Sequence, residues 1–147
     1  MALRKKGDKA FGDSVADIRD ALVAYATGGY PPTVFADAAC ACGGTTFVLA
    51  VDDDEGAAER RCTACDAPAL IANSADVEDD MTLEPCGCPC GRDVFELTLG
   101  LALYAGSATD VRWIYVGARC VTCGDVGCYV DWKCDGSETA SDLLTRA

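Results

Sequence analysis

Eleven cysteines in 147 residues, most of them in close pairs, constrain this chain more than any other feature. One set runs Cys40-Ala41-Cys42-Gly43-Gly44-Thr45-Thr46-Phe47, with Arg61-Cys62-Thr63-Ala64-Cys65 downstream. A second runs Cys88-Pro89-Cys90-Gly91-Arg92-Asp93-Val94-Phe95, with Arg119-Cys120-Val121-Thr122-Cys123-Gly124 downstream. Both read CxCG, a phenylalanine five residues on, alternating apolar residues, then RCxxC. Agreement in the same order at so many positions is an internal duplication.

Pairs one or two residues apart let a tight turn offer two sulfurs to one metal, and four such sulfurs suit a tetrahedral zinc. The spacing therefore predicts two structural Zn2+ ions, one held by Cys40, Cys42, Cys62 and Cys65, the other by Cys88, Cys90, Cys120 and Cys123. A glycine after Cys42, Cys90 and Cys123 can take the left-handed conformation that such a turn requires. Arg61 and Arg119 directly precede the second pair of each set and are expected to neutralise the thiolate charge. Cys86, Cys128 and Cys134 remain. Cys86 offers Cys86 and Cys88 as a rival pair, and only the repeat selects Cys88 and Cys90. Cys128 and Cys134 read as buried or free thiols, with a third metal site or a regulatory disulfide as the other readings.

The N-terminal residues are charged without an apolar stretch behind them, which does not read as a secretory signal. The longest apolar run, residues 94–106, contains Glu96 and falls short of the about 20 residues needed to span a bilayer. A cytoplasmic protein without membrane contact is expected, where paired cysteines are metal ligands before they are disulfides.

Between the cysteine pairs, alternation predicts a hairpin in each half: Phe47–Val51 returning over residues 57–61, and Val94–Tyr104 returning over Val111–Val116, with a further strand at Cys128–Trp132. Val15, Ile18, Leu22 and Tyr25 recur at helical spacing behind Ser14, and Gly28, Gly29, Pro31 and Pro32 stop the pattern, so a helix is expected from about 14 to 27. Its apolar stripe should pack on one of the hairpins. The expected fold is a small metal-stabilised α+β chain: two tandem antiparallel ribbons preceded by one helix. Its parts are an N-terminal tail and helix (1–34), ribbon one (35–72), a solvated acidic linker (73–85), ribbon two (86–136) and a tail with a short helix (137–147).

Cysteine pairs at the ends of short antiparallel sheets resemble the zinc-ribbon superfamily over residues 36–133. The first pair of each half departs from that family's usual knuckle in having one residue, not two, between the cysteines. The run from Arg112-Trp113 through Arg119-Cys120 and Cys123-Gly124 to Asp131-Trp132-Lys133 also resembles a group of uncharacterised small bacterial proteins, a likeness that implies no activity. Finally, CxC followed by CxxC, as from Cys88 to Cys123, is similar to the zinc switch of redox-regulated holdase chaperones, which implies oxidative zinc release. The large N-terminal domain of that family has no counterpart here.

Charge bears on function. Asp and Glu outnumber Lys and Arg by 24 to 12, for a formal charge of -12, and the basic residues cluster early, at Arg4, Lys5, Lys6 and Lys9. Such a body does not suit a phosphate backbone, so nucleic acid is not the expected partner. The chain has no histidine, which removes the commonest acid–base catalyst and leaves metal binding to sulfur. Closed four-sulfur sites lack the open position that catalytic zinc keeps. The expectation is a non-catalytic zinc-binding scaffold that meets a basic protein through an acidic and aromatic surface, as an inhibitor, immunity-type or transcription-associated protein would. The alternative is a thiol redox sensor. Phe95, Tyr104, Trp113, Tyr115, Tyr129 and Trp132 supply the aromatic part.

Overall fold

The computed structural model describes residues 3–7, 9–134 and 138–147. In chain order it contains β1 (Arg4–Lys6), β2 (Lys9–Phe11), α1 (Ala16–Tyr25), β3 (Val34–Asp37), β4 (Phe47–Asp52), β5 (Ala57–Cys62), β6 (Pro68–Leu70), a 3-10 turn (Ser74–Val77), β7 (Glu84–Pro85), β8 (Phe95–Leu103), β9 (Val111–Cys120), β10 (Asp125–Lys133) and α2 (Ala140–Leu144). The expected end of ribbon two at residue 136 and the start of the tail at Ser137 lie outside the described residues, as do Met1, Ala2 and Asp8.

The expectation of an α+β chain built from two tandem ribbons is corrected. The strands form one ten-stranded, mostly antiparallel sheet in the order β1-β2-β10-β9-β8-β4-β5-β6, with β3 beside β8 and β7 beside β4. Each repeat does contribute three consecutive antiparallel strands, β4-β5-β6 and β8-β9-β10. They do not stay apart, because β4 pairs with β8 at a single point, Phe47 opposite Phe95. These are equivalent residues of the duplication, so the two copies meet about a local two-fold relation. Both rings are completely buried, each contributing about 1.5–3 kcal/mol of apolar burial. A seam of that kind cannot be left as an exposed strand edge in a stable chain.

The difference in cysteine spacing reappears as strand length. The second hairpin has three more residues in its outgoing strand, four more in its return strand and three more in its turn than the first. The sheet curls so that β10 packs across onto β4 and β5. Along β8, Phe95, Leu97, Leu99 and Leu101 face one core with Phe47, Leu49, Ile114, Val116, Trp132 and Leu143. Its alternate residues face α1, whose Ile18, Ala21 and Leu22 make a second core with Ala102, Tyr115 and Val126. With both faces covered, β8 reads as a nearly continuous apolar run. The helix sits close because Gly117 leaves room: a Cβ there would lie 2.4 Å from Ile18 Cγ2.

Three local expectations change. The helix begins at Ala16 with no side-chain cap from Val15. Asp17 instead reaches back to accept the N–H groups of Asp13 at 2.8 Å and Ser14 at 3.2 Å. The basic N-terminal segment, read as a tail, forms a hairpin whose Ala10 and Phe11 pair with Val126 and Asp125 of β10. Residues 73–85, read as a solvated linker, are tied down: Ser74 is fully buried, its hydroxyl accepts the Ala58 N–H at 2.9 Å, and β7 pairs with β4. Asp52 fastens the same stretch, accepting the N–H of Thr82 at 2.6 Å and those of Asp54 and Glu55. These bonds hold its carboxyl below the ordinary carboxylate value of 3.8.

Candidate metal centres

Each cysteine pair sits on a turn at the end of a strand, and the two copies use the same bonds. In the first, the Cys40 N–H donates to the Gly44 carbonyl and the Gly43 N–H to the Cys40 carbonyl, both at 2.8 Å. In the second, Cys88 N–H donates to Arg92 at 2.7 Å and Gly91 N–H to Cys88 at 2.8 Å. The CxxC turns match as well, with Asp66 N–H on the Cys62 carbonyl at 2.9 Å and Gly124 N–H on that of Cys120 at 2.8 Å. Gly43, Gly91 and Gly124 all have φ between 82° and 95°. Asp66 holds the matching left-handed position in the first copy at φ 65°, where a side chain costs energy that glycine avoids. Across each hairpin, Phe47 lies opposite Cys62 and Phe95 opposite Cys120, so the strand register delivers the second pair to the first.

The eight cysteines singled out by the spacing fall into two groups. Cys40, Cys42, Cys62 and Cys65 have all four sulfurs within 4.8 Å of one another, and so do Cys88, Cys90, Cys120 and Cys123. The closest sulfurs are 3.5 Å (Cys40–Cys65) and 3.6 Å (Cys42–Cys62) apart in the first group, 3.4 Å (Cys88–Cys123) and 3.7 Å (Cys90–Cys120) in the second. A regular tetrahedron with zinc–sulfur bonds of about 2.3 Å has edges of about 3.8 Å. None of these eight sulfurs is in a disulfide.

Backbone N–H groups favour thiolates here. The Ala64 N–H points at the Cys62 sulfur and the Asp125 N–H at that of Cys123, each at 3.4 Å. Cys40 is lowered to about 7, first by the Cys42 N–H and then by the Cys65 thiol. Burial raises Cys120, yet the N–H groups of Cys123 and Thr122, together with hydrogen bonds from the Cys90 and Cys88 thiols, outweigh it and bring it down to about 7. The Ala67 N–H favours a Cys65 thiolate, but sharing its proton with the sulfurs of Cys40 and Cys42 pushes it up to about 12. Cys88 is raised mainly by burial. Within each group, thiolates therefore compete for negative charge, and a dication among them removes the conflict. The donor set fits such an ion, and Gly44 fits the packing: a Cβ there would lie 2.7 Å from the Cys62 sulfur.

The arginines brace the turns and do not bond the sulfurs. Among the described residues no guanidinium hydrogen bond reaches a cysteine sulfur. Arg61 bonds the Asp66 carbonyl at 3.0 Å and braces the first CxxC turn. Arg119 bonds the Gly12 carbonyl and Glu96, each at 2.8 Å, and Gly12 in turn donates to the Gly124 carbonyl. The second CxxC turn is thereby fastened to the segment before α1. Cys86, Cys128 and Cys134 belong to neither group. Burial pushes Cys86 up to about 11, with the Asp53 charge adding to it, and Cys128 up to about 12, so both stay protonated.

The aromatic residues divide. Phe95 and Tyr129 pack edge to face at 5.0 Å, and Trp132 is buried, bonding Asn73 through its indole N–H at 2.9 Å. Trp113 and Tyr115 instead meet Tyr25 and Tyr30 beside an open cavity. Helical periodicity placed Tyr25 on a packing stripe and left Tyr30 unassigned, since neither signal reports which strand residues stand opposite. Among the described residues no helix is long and apolar enough to cross a membrane. No family model, curated protein or solved structure matches the chain.

Proposed function

We propose that this chain is a non-catalytic scaffold stapled by two structural zinc ions, which presents an acidic and aromatic surface to a basic protein in the cytoplasm. The observation that carries the reading is the pair of four-sulfur groups at strand ends of one continuous sheet. Cys40, Cys42, Cys62 and Cys65 would hold one ion and Cys88, Cys90, Cys120 and Cys123 the other. Bound there, the metal supplies coordination bonds that close the turns, about 10–16 kcal/mol apparent per site in small zinc peptides. Four thiolates leave no open position for water, which supports a structural role over catalysis. Eight thiolates around two dications add four negative charges to the formal -12, and Asp52, Asp53, Asp54, Glu55, Asp80 and Glu84 line a single cleft.

Native mass spectrometry of the chain, followed by capture from a lysate at rising salt, tests this. Two zinc ions per chain and a basic protein released by salt are the expected outcome. A hydrolytic activity that needs the metal, or tight binding to nucleic acid, would overturn it. One observation favours a redox sensor as the second reading: Cys42, Cys65, Cys90 and Cys123 are exposed. Peroxide would convert two thiolates to a disulfide, itself being reduced to two hydroxide ions, and zinc would leave. Zinc release at low peroxide, reversed by dithiothreitol, is what that reading requires.

A further inference from the structure

Four aromatic rings and one carboxylate converge where α1 ends beside β9 and β10. Tyr25, Tyr30, Trp113, Tyr115 and Asp131 line an open cavity of about 420 Å³, with residues 26–29 completing its wall. The sequence explains the meeting. Tyr25 and Tyr30 flank the Gly28-Gly29 turn that stops the helix, Trp113 and Tyr115 alternate onto one face of β9, and Asp131 is the cross-strand partner of Tyr115.

The rings are fixed in place. One oxygen of Asp131 accepts the Trp113 indole N–H at 2.8 Å and the other accepts the Tyr25 hydroxyl at 3.1 Å. The Tyr115 hydroxyl donates to the Tyr30 carbonyl at 2.6 Å. Tyr25 meets Tyr115 edge to face at 6.3 Å, and Tyr30 meets Trp113 at 5.9 Å. Tyr25 is 55% exposed and Tyr30 42%, so these are large aromatic surfaces open to solvent. Arg112 already lies 3.8 Å from the Tyr30 ring centre and bonds its hydroxyl at 2.7 Å, so this ring accepts a cation in the structure itself.

Asp131 has neutral hydrogen-bond partners, and among the described residues no lysine or arginine forms an ion pair with it. Electron-rich ring faces around such a carboxylate attract cations, and they favour those that give up water readily. An alkylated ammonium does so, because its methyl groups spread the charge and pack on the rings. We propose that this cavity binds an alkylated ammonium group, carried either by a free quaternary ammonium ion or by a methylated lysine of a protein. The proposal goes beyond the scaffold reading and does not depend on it.

The test is a titration of the metal-loaded full chain at constant ionic strength, followed by calorimetry and by the NMR signal of the Trp113 indole N–H. The probes are tetramethylammonium, choline, a trimethyl-lysine peptide with its unmethylated counterpart, and the neutral carbon isostere of choline. Tetramethylammonium should shift the Trp113 signal saturably, and Tyr25→Ala and Asp131→Asn should each weaken binding by about threefold to thirtyfold. Whichever of the methylated peptide and choline binds more tightly identifies the source of the cation. No saturable shift with any alkylammonium would overturn the proposal, as would equal binding of the neutral isostere. So would unchanged affinity in both variants, whose folding is checked by their remaining NMR spectrum. If tetramethylammonium binds while no basic protein is captured, the scaffold reading fails and this one stands.

Discussion

The two copies share one cysteine turn, bond for bond, and differ in what surrounds it. The second has strands of nine and ten residues, a helix on one face, the common core on the other, and the N-terminal hairpin along β10. The first has strands of six residues, and Arg61 is exposed on β5. What differs is how much each copy leans on its metal. A long, doubly covered hairpin retains packing when its sulfurs are released, whereas a short one is left with the Thr46–Thr63 hydrogen bonds at its open end.

The largest expected effect is loss of both metals, which should abolish cooperative unfolding, because about 10–16 kcal/mol per site rivals the about 5–15 kcal/mol stability of a whole domain. Single ligand replacements sharpen the contrast. Cys62→Ser should raise amide exchange in residues 47–62 while β8 and β9 stay protected, whereas Cys120→Ser should raise exchange only around its own turn and leave β8 and β9 protected by their packing. Equal, simultaneous exchange in the two variants would break the comparison.

Next comes Gly117→Val, which drives a side chain into Ile18. It should cost about 1–3 kcal/mol in chemical denaturation by lifting α1 off the second copy. The left-handed turn positions give a smaller, paired prediction. Gly124→Ala puts a Cβ 2.9 Å from the Gly12 carbonyl oxygen at φ 82° and should cost about 1–3 kcal/mol. Asp66→Gly should stabilise the first copy slightly, by up to about 1 kcal/mol in chemical denaturation. The Arg61–Asp66 ion pair it removes is exposed and contributes little.

The smallest effect concerns pH. The folded state holds Asp52 below its ordinary 3.8. Its contribution is therefore complete above that value and lost as pH falls through the folded one. Stability should decline below about pH 4, and Asp52→Asn should flatten that decline. An unchanged acid limb in the variant would show that Asp52 does not fasten residues 80–85 to the first copy.

The eight sulfurs were legible because their signal is local: spacing along a few residues decides which side chains one turn can present. Hairpin positions were legible for the same reason, with alternation at Phe47–Val51 and again at Val94–Tyr104. The joining of the copies was not, since β4 and β8 meet through an edge pairing at Phe47 and Phe95 that no periodicity names. Charge misled at residues 73–85, where the acidic side chains drew attention from Ser74 and from the backbone that pairs with β4. Lys5, Lys6 and Lys9 likewise read as a solvated tail, although Ala10 and Phe11 supply the strand bonds. Arg61 and Arg119 sat beside the ligands in sequence, but adjacent residues on a strand point to opposite faces, so each found partners other than sulfur.

Phe47 opposite Phe95 has a further consequence. A contact in which each copy meets its own counterpart is the kind a symmetric homodimer makes, and here it is enclosed in one chain. Association then no longer depends on concentration, and only the seam has to stay self-complementary. Everywhere else the copies are free to specialise. One has the longer strands and borders the aromatic cavity, and the other borders the acidic cleft, a division that two identical subunits could not encode.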